Sequence, residues 1–270
     1  MTQPVTPRLS ATVMIMRDTP DGIEIFMVVR HHKIEFASGA IVFPGGSLDA
    51  SDSDARLRDV SDGADGLDEA TLALRVAAAR EAFEECGVLY MRDPATGAII
   101  EGTRAQALGT RYRQRLEAGE IGMADVAIEE NLRLAIDQLT PFAHWVTPAH
   151  MPKRFDTHFY LAPAPGDHAL EHDGSEAVDS VWIRPSDALA QAEAGKLTMI
   201  FATRLNLERL DQSPTVAAAI DKATTAPIVT VQPTMRKTDT ARILTIPLEA
   251  GYGGPDFVVP HSTLADNKKT

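Results

Sequence analysis

The segment that decides the fold is residues 80–88, which read Arg-Glu-Ala-Phe-Glu-Glu-Cys-Gly-Val. It ends an alanine-rich stretch, residues 69–86, that predicts a helix, and Gly87 stands where a glycine commonly follows one. At 100° per residue, one narrow face of this helix is apolar and must point to a core. That face holds Leu72, Val76, Ala79 and Phe83.

The opposite face of the same helix carries three carboxylates, Glu81, Glu84 and Glu85, at spacings that make them neighbours. These groups repel one another, and the negative end of the helix dipole lies a turn or less away. Arg80 offsets part of the repulsion by reaching Glu84 at i+4. Clustered carboxylate oxygens suit a hard cation, Mg²⁺ or Mn²⁺. The spacing alone is equally typical of a solvated acidic face, so the surrounding sequence has to decide.

Upstream of the helix, Phe43-Pro44-Gly45-Gly46 predicts a strand end that runs into a tight turn. Such a turn lets backbone approach a phosphate or offer a carbonyl to a metal. The stretch that follows, residues 47–69, is crowded with Asp, Ser and Gly and predicts a surface loop. Residues 47–85 hold 11 Asp and Glu against 4 Arg, and eight of those acids fall in the loop, where we expect them to be solvated.

Short apolar and periodic runs predict the remaining elements. Strands are predicted at 11–16, 23–30, 40–43, 142–146, 155–161 and 177–183, with a final hairpin or edge strands at 228–231 and 242–246. Further helices are predicted at 103–118, 125–139, 186–194 and 203–210. Strands and helices mix without strict strand–helix–strand alternation. This favours an α+β or layered α/β/α domain over a doubly wound sheet.

The composition of the 270-residue chain limits its partners. Its 26 Lys and Arg against 38 Asp and Glu give a net charge of −12, which argues against nucleic acid and against a polybasic membrane anchor. No apolar run is long enough to span a membrane, and the N-terminus lacks the apolar core of a secretory signal. The single cysteine, Cys86, suits a reducing compartment. We therefore expect a soluble cytoplasmic protein.

Gly46 together with residues 80–88 resembles the Nudix box, G-x5-E-x7-R-E-U-x-E-E-x-G-U, in which U is an apolar residue. The second half of the pattern matches throughout. The first half departs from it, because the distance from Gly46 to Arg80 is much longer than usual. The position eight residues before Arg80, where the family has Glu, holds Leu72. That Glu has a mainly structural role in the family, so its loss does not exclude activity.

A long insertion at this point resembles one branch of the Nudix superfamily, the peroxisomal-type coenzyme A diphosphatases and their bacterial relatives. Further matches to that branch are Trp-Val-Thr-Pro at 145–148, Lys-Arg-Phe-Asp-Thr-His-Phe at 153–159, and Glu176 followed by Trp-Ile-Arg-Pro at 182–185. The resemblance implies a Nudix-type α/β/α sandwich with a mixed β-sheet in residues 1–212, with a helical insertion at about 103–139. Residues 213–270 are expected to form a C-terminal extension packed on the same domain.

An upstream motif of coenzyme A-hydrolysing relatives, L-L-T-x-R-S-x3-R-x3-G-x3-F-P-G-G, is half met. Arg30, Gly39 and the Phe-Pro-Gly-Gly segment fall at its spacing. Its second arginine is replaced by Glu35, and its serine by His31. A glutamate where a cation would meet an anionic substrate argues against a simple transfer of specificity.

The resemblance implies a metal-dependent diphosphatase in which water attacks one phosphorus in line. The implied metal ligands are Glu81, Glu84, Glu85 and the carbonyl of Gly46, with Mg²⁺ or Mn²⁺ as the cofactor. Arg80 is expected to orient the carboxylates, and Glu85 or Glu176 to act as the base. The substrate-binding candidates are Arg30, Gly39, Gly45, Lys153 and Arg154.

Coenzyme A or its thioesters are the first choice of substrate, and the partner is a nucleoside diphosphate derivative. Another nucleoside-diphosphate-X compound, such as ADP-ribose or a dinucleotide, is the nearest alternative. Leu72 also leaves open a catalytically silent module that senses a nucleotide. A third alternative is a regulatory protein that uses the helical insertion and the last segment as an interface, with a homodimer as one outcome.

Overall fold

A computed structural model describes residues 5–30, 39–166 and 177–260 of the chain. The strands are β1 (Arg8–Thr19), β2 (Gly22–Arg30), β3 (Ala40–Val42), β4 (Gly45–Ser47), β5 (Ser61–Asp62), β6 (Met91–Arg92), β7 (Arg133–Ala135), β8 (Thr140–Val146), β9 (Phe155–Pro163), β10 (Ala177–Ile183), β11 (Thr198–Met199), β12 (Thr230–Val231), β13 (Thr234–Lys237), β14 (Ala241–Thr245) and β15 (Asp256–Pro260). The helices are α1 (Glu69–Cys86), α2 (Gly102–Glu117), α3 (Met123–Glu129), α4 (Pro185–Glu193), α5 (Phe201–Leu210) and α6 (Val216–Thr225).

The main sheet is mixed, as the sequence predicts. Its central strands run in the order β11-β3-β2-β1-β9-β8-β12, while β10 pairs with β2 and β4 pairs with β1. Strand β1 is parallel to β9 but antiparallel to β2 and β4. The two glycines of the predicted tight turn instead belong to strand β4, whose pairing with β1 places Gly45 opposite Thr12 in the sheet.

Helices cover both faces of this sheet, which confirms the layered α/β/α architecture. Side chains alternate along β1, so Val13 and Ile15 join a core with α1, whereas Met14 and Met16 join a second core with α5 and α6. The two cores lie on opposite faces of the sheet, and residues from both sides of β1 are fully buried.

Helix α1 begins and ends where the sequence predicts. Asp68 caps its first turn by accepting a hydrogen bond from the Thr71 amide, and Gly87 ends it in the left-handed conformation at φ 71°. The four residues of the predicted apolar face are buried as expected, but the buried surface is not narrow, because thirteen of the eighteen residues of the helix are buried. Strands β1 and β4 and helix α2 all pack against α1, and its alanines let these neighbours approach from several sides.

The predicted helix at 125–139 is mostly wrong. Helix α3 stops at Glu129, and Asn131 then adopts a left-handed conformation at φ 52°, which reverses the chain. Strand β7 follows and pairs with β5 and β6 in a small separate sheet. A one-residue turn at an asparagine interrupts helical periodicity without removing the apolar residues that suggested it.

The segment after residue 212 contains a helix that the sequence reading missed. Helix α6 begins at a Thr215 cap, and its Ala219 and Ala223 join the core that holds Met14 and Met16 of β1. Strand β12 extends the main sheet at its edge, and β13, β14 and β15 form a further antiparallel sheet. These contacts agree with the expectation that residues 213–270 pack on the same domain. The domain boundary at residue 212 stays a prediction. Within the ranges described, every helix is too short or too polar to cross a bilayer.

Candidate active site

A cavity of about 630 Å³ opens where β4 and α1 meet the first residues of β1 and β9. The short strand β4 places Gly45 and Gly46 against the carboxylates of α1. The side chains and glycines around the cavity include Arg8, Ser10, Thr12, Gly45, Gly46, Arg80, Glu81, Glu84, Glu85, Glu117, Lys153, Phe155, Thr157 and Phe159.

Arg80 organises the acidic wall of the cavity. Its Nη1 lies 2.7 Å from Glu84 Oε2 and 2.9 Å from Glu81 Oε1, so the predicted i+4 pair forms together with a second one. Its Nη2 also donates to the carbonyl of Ser47 at 3.0 Å. Burial lowers the pKa of Arg80, but the hydrogen bond to Asp52 and the charges of Glu81 and Glu84 more than offset this. The guanidinium therefore stays charged and holds both carboxylates in place.

Asp52 is the partner that the sequence reading missed. Its two carboxylate oxygens accept from Nε and Nη2 of Arg80 at 2.9 and 3.0 Å, and the residue is only 1% exposed. The expectation of a fully solvated Asp-rich loop is thus wrong at this position. Counted forward from Gly46, Asp52 occupies the acidic position of the G-x5-E half-pattern. The insertion therefore lies between Asp52 and Arg80, and Leu72 is a core residue rather than a lost acid.

The three carboxylates of α1 occupy different environments. Burial raises the pKa of Glu81 to about 7, with Arg80 opposing this rise and Glu84 adding to it. Burial also raises the pKa of Glu84, again against the effect of Arg80. Glu85 is half-buried and accepts a hydrogen bond from the Gly45 amide at 2.9 Å. Burial favours the protonated form of these acids, and a bound cation would stabilise their ionised form.

Two details of the geometry fit a divalent cation. Glu84 Oε1 is buried, and no hydrogen-bond partner for it is found among the residues that the structure describes. A Cβ atom at Gly46 would lie 2.4 Å from Glu81 Oε1, so only glycine lets this carboxylate rest against the backbone of β4. An unsatisfied buried oxygen beside a second carboxylate and a close backbone is a donor set that Mg²⁺ or Mn²⁺ prefers.

Gly45 is required for a separate reason. Its φ of 155° disfavours a side chain, and a Cβ there would lie 2.4 Å from the Ala11 carbonyl oxygen. The glycine thus lets β4 approach β1 while its amide donates to Glu85. The predicted role of this Pro-Gly-Gly turn in presenting backbone to the site agrees with its position.

The predicted substrate residues divide into three groups. Lys153 lines the cavity, with its Nζ 5.7 Å from the centroid of the Phe155 ring. Arg154 does not line it, because its buried guanidinium donates to the carbonyls of Thr147 and Val5 and so holds the start of β1. Gly39 precedes β3 and does not line the cavity either. The side chain of Arg30, and Glu176, His31 and Glu35, lie outside the residues that are described.

Two further charged residues reach the cavity without any signal in a motif. Arg8 stands at the first position of β1, and Glu117 at the last position of α2. Helix α2 is held against α1 by a hydrogen bond, in which Arg113 Nε donates to the backbone carbonyl of Glu84 at 2.5 Å. The charge of Glu117 contributes to the raised pKa of Glu84, so helix α2 of the helical insertion reaches the acidic site.

Comparison with known proteins agrees with this geometry. Residues 58–210 match the family model of the NUDT19 Nudix domain, more than half of the chain. The chain belongs to this Nudix family. The matched residues run from the Asp-rich loop through the box helix and the insertion to the end of α5.

Two curated relatives carry the same relationship. The chain is 28% identical over 192 residues to a protein named putative nudix hydrolase 7 from Caenorhabditis elegans, which covers 70% of this chain and 56% of the relative. It is 22% identical over 212 residues to the acyl-coenzyme A diphosphatase NUDT19 of Xenopus laevis, covering 64% of this chain and 56% of that one. The chain therefore spans a little over half the length of these relatives.

A solved structure shares the fold. The NUDIX hydrolase from Alicyclobacillus acidocaldarius superposes with a TM-score of 0.70 at 27% identity, covering 83% of this chain and 99% of that one. This match supports the mixed sheet between two helical layers. The expected Nudix architecture is therefore confirmed.

Proposed function

We propose that the protein is a Nudix hydrolase that uses Mg²⁺ or Mn²⁺ to cleave the diphosphate of coenzyme A or its thioesters. The observation that carries this proposal is the buried arrangement of Arg80 with Glu81 and Glu84 against Gly46. This arrangement concentrates oxygen donors at one wall of a cavity whose other walls carry cations. A divalent cation held by the acids would allow an anionic diphosphate to bind in this cavity.

The residues that would hold the metal are Glu81, Glu84, Glu85 and the backbone carbonyl of Gly46. A divalent cation held by these residues would neutralise charge on the diphosphate and would make a water molecule more acidic. Arg80 opposes the protonation of Glu81 and Glu84 and orients both carboxylates. Asp52 in turn fixes Arg80 from the other side.

The chain also contributes to proton transfer and substrate placement. Water oxygen bonds to phosphorus, the bond from that phosphorus to the bridging oxygen breaks, and the water proton passes to a carboxylate base. Glu85 is our candidate for that base, positioned by the Gly45 amide, and a base of this kind adds about 10²–10⁴-fold to a rate. Lys153 and Arg8, which also line the cavity, would bind substrate phosphates.

The choice of coenzyme A rests on the relatives and on the half-met upstream motif. The Xenopus relative is named an acyl-coenzyme A diphosphatase, and the long insertion is typical of that branch. Glu35 and His31 depart from the motif, and this observation keeps ADP-ribose or another nucleoside-diphosphate-X compound as the second candidate.

Product masses from a substrate panel test the proposal. The purified protein is incubated with coenzyme A, an acyl-coenzyme A, ADP-ribose and a dinucleotide, in Mg²⁺ and in Mn²⁺. We expect coenzyme A to give 3′,5′-ADP and 4′-phosphopantetheine, and the acyl-coenzyme A to give 3′,5′-ADP and the acylated 4′-phosphopantetheine. Rapid cleavage of ADP-ribose beside negligible turnover of coenzyme A esters would select the second candidate. No turnover of any substrate, with a nucleotide still raising the unfolding temperature, would indicate a silent binding module.

A further inference from the structure

A second group of metal-ligand side chains lies away from the acidic site. His144 on β8 and Asp156 and His158 on β9 place one ligand atom each within 4.8 Å of one another. Strands β8 and β9 are antiparallel, and their register sets His144 directly opposite His158. Asp156 lies two residues before His158, so its side chain shares the same face of the strand.

This group faces away from the active-site cavity. Thr157 lies between Asp156 and His158 and lines that cavity, so alternation along β9 turns its two neighbours to the other face of the sheet. The three side chains are 17%, 29% and 31% exposed, respectively, so solvent reaches them. Leu9, the β1 residue paired with Asp156, is itself 45% exposed.

The contacts of His144 allow the tautomer that a metal-binding histidine needs. Its Nδ1 lies 2.8 Å from the hydroxyl of Thr230 on the neighbouring strand β12. When Nδ1 carries the proton and donates it to Thr230, the lone pair of Nε2 points at the carboxylate of Asp156, with which it is in close contact. In this tautomer a cation between Nε2 and the carboxylate would be bound by both groups. An outer partner that fixes the tautomer in this way is usual for histidine ligands.

His158 adds a third electron-pair donor. Its ring stacks on that of His144, with centroids 4.1 Å apart, and its Nε2 lies 3.9 Å from the same Asp156 oxygen. No hydrogen bond to the His158 ring is found within the described part of the chain.

We propose that His144, Asp156 and His158 bind a transition-metal ion of the Zn²⁺ type, at a site separate from the acidic cavity. Two imidazole nitrogens and one carboxylate suit Zn²⁺ rather than Mg²⁺, and they leave a fourth position for water. Ligand atoms around tetrahedral zinc are about 3.4 Å apart, given Zn–N and Zn–O distances near 2.0–2.2 Å. Small side-chain rotations would bring the present atoms to that spacing. Through Thr230, the bound ion would also connect β8 and β9 to β12.

Zinc titration of metal-free full-length protein tests this site. Unmodified protein is compared with His158→Ala and with His150→Ala, a matched control that removes an exposed histidine outside the cluster. We expect unmodified protein and His150→Ala to bind one more Zn²⁺ than His158→Ala, and excess Mg²⁺ not to displace it. Equal stoichiometry and affinity in unmodified protein and His158→Ala would overturn the proposal.

Two further readouts separate metal binding from a purely structural role of the histidines. Thr230→Val removes only the outer partner, so we expect it to weaken zinc binding by about 10–100-fold. In chelator, the unfolding temperature of Thr230→Val should match that of unmodified protein, and Zn²⁺ should raise it less. Co²⁺ added to unmodified protein should give the intense visible bands of a four-coordinate ion. The weak bands of six-coordinate Co²⁺ alone would contradict the site, even if the histidine variants did not fold.

Discussion

The last turns of α1 and the loop before that helix are both rich in acids, yet their acids do different work. On α1, Glu81 and Glu84 are 8% exposed and share one arginine. In the loop, Asp65 is exposed, whereas Asp52 is buried and pairs with that same arginine. Acid content therefore does not separate a site from a solvated surface. The acids of the site differ from the solvated acids because they share a buried arginine, Arg80.

Asp52→Asn is expected to have the largest effect on stability, because it removes one charge from a buried ion pair. Breaking such a pair costs about 3–5 kcal/mol, and we expect about 3 because Glu81 and Glu84 still contact Arg80. The free energy of unfolding in urea measures this change. Asp65→Asn is the matched control from the exposed part of the loop and should lie within about 0.5 kcal/mol of unmodified protein. Equal stability of the two variants would erase the distinction between them.

The second prediction concerns pH. The pKa of Glu81 is raised to about 7 in the folded chain from 4.5, so between these values the folded state binds more protons than the unfolded state. Stability should therefore fall as pH rises from about 4.5 to 7 in metal-free protein, by about 3 kcal/mol at most.

Glu81→Gln isolates this effect, since the variant has no carboxylate to titrate at that position. We expect the difference in unfolding free energy between Glu81→Gln and unmodified protein to depend on pH in chelator. In saturating Mg²⁺ that dependence should largely disappear, because the cation stabilises the ionised carboxylate. A difference that is flat across this range in chelator would show that Glu81 is not the titrating group.

The smallest predicted effect lies at the cationic rim of the cavity. Lys153→Ala should raise KM about tenfold with little change in kcat, because its contact with a substrate phosphate is made in both the ground and transition states. Arg154→Lys should leave KM unchanged, since that guanidinium contacts Thr147 and Val5 rather than the cavity. Steady-state kinetics on the best substrate of the panel distinguish the two. A larger change in KM for Arg154→Lys would reverse the assignment.

Much of the fold could be predicted from local signals. The bounds of α1, its left-handed end at Gly87 and the early strands follow from propensity, caps and alternation. Helix α3 and strand β7 could not be separated, because the reversal depends on one left-handed residue, Asn131. Helix α6 had a usable signal, a Thr215 cap followed by small apolar residues at helical spacing.

The site was predictable where the pattern is contiguous. The arginine and three glutamates of residues 80–85 lie together as their spacing implies. Counting the Nudix-box spacing backward from Arg80 leads to Leu72, because extra residues separate Asp52 from Arg80. Counting forward from Gly46 leads to Asp52. Arg8 and Glu117 carry no motif at all, and only the packing of β1 and α2 brings them to the cavity. Contacts made by tertiary packing are not encoded in local spacing.

We propose above that the acids of α1 hold a catalytic divalent cation, and one of these acids, Glu84, offers a test. The most direct measurement is the rate of Mg²⁺-dependent diphosphate hydrolysis by Glu84→Gln, with Glu249→Gln as a charge-matched control on an exposed turn. Glutamine keeps the size of the side chain but cannot offer a charged ligand. We predict a loss of at least about 100-fold in kcat for Glu84→Gln and none for Glu249→Gln, with both folded by circular dichroism. Full turnover by folded Glu84→Gln would contradict the claim.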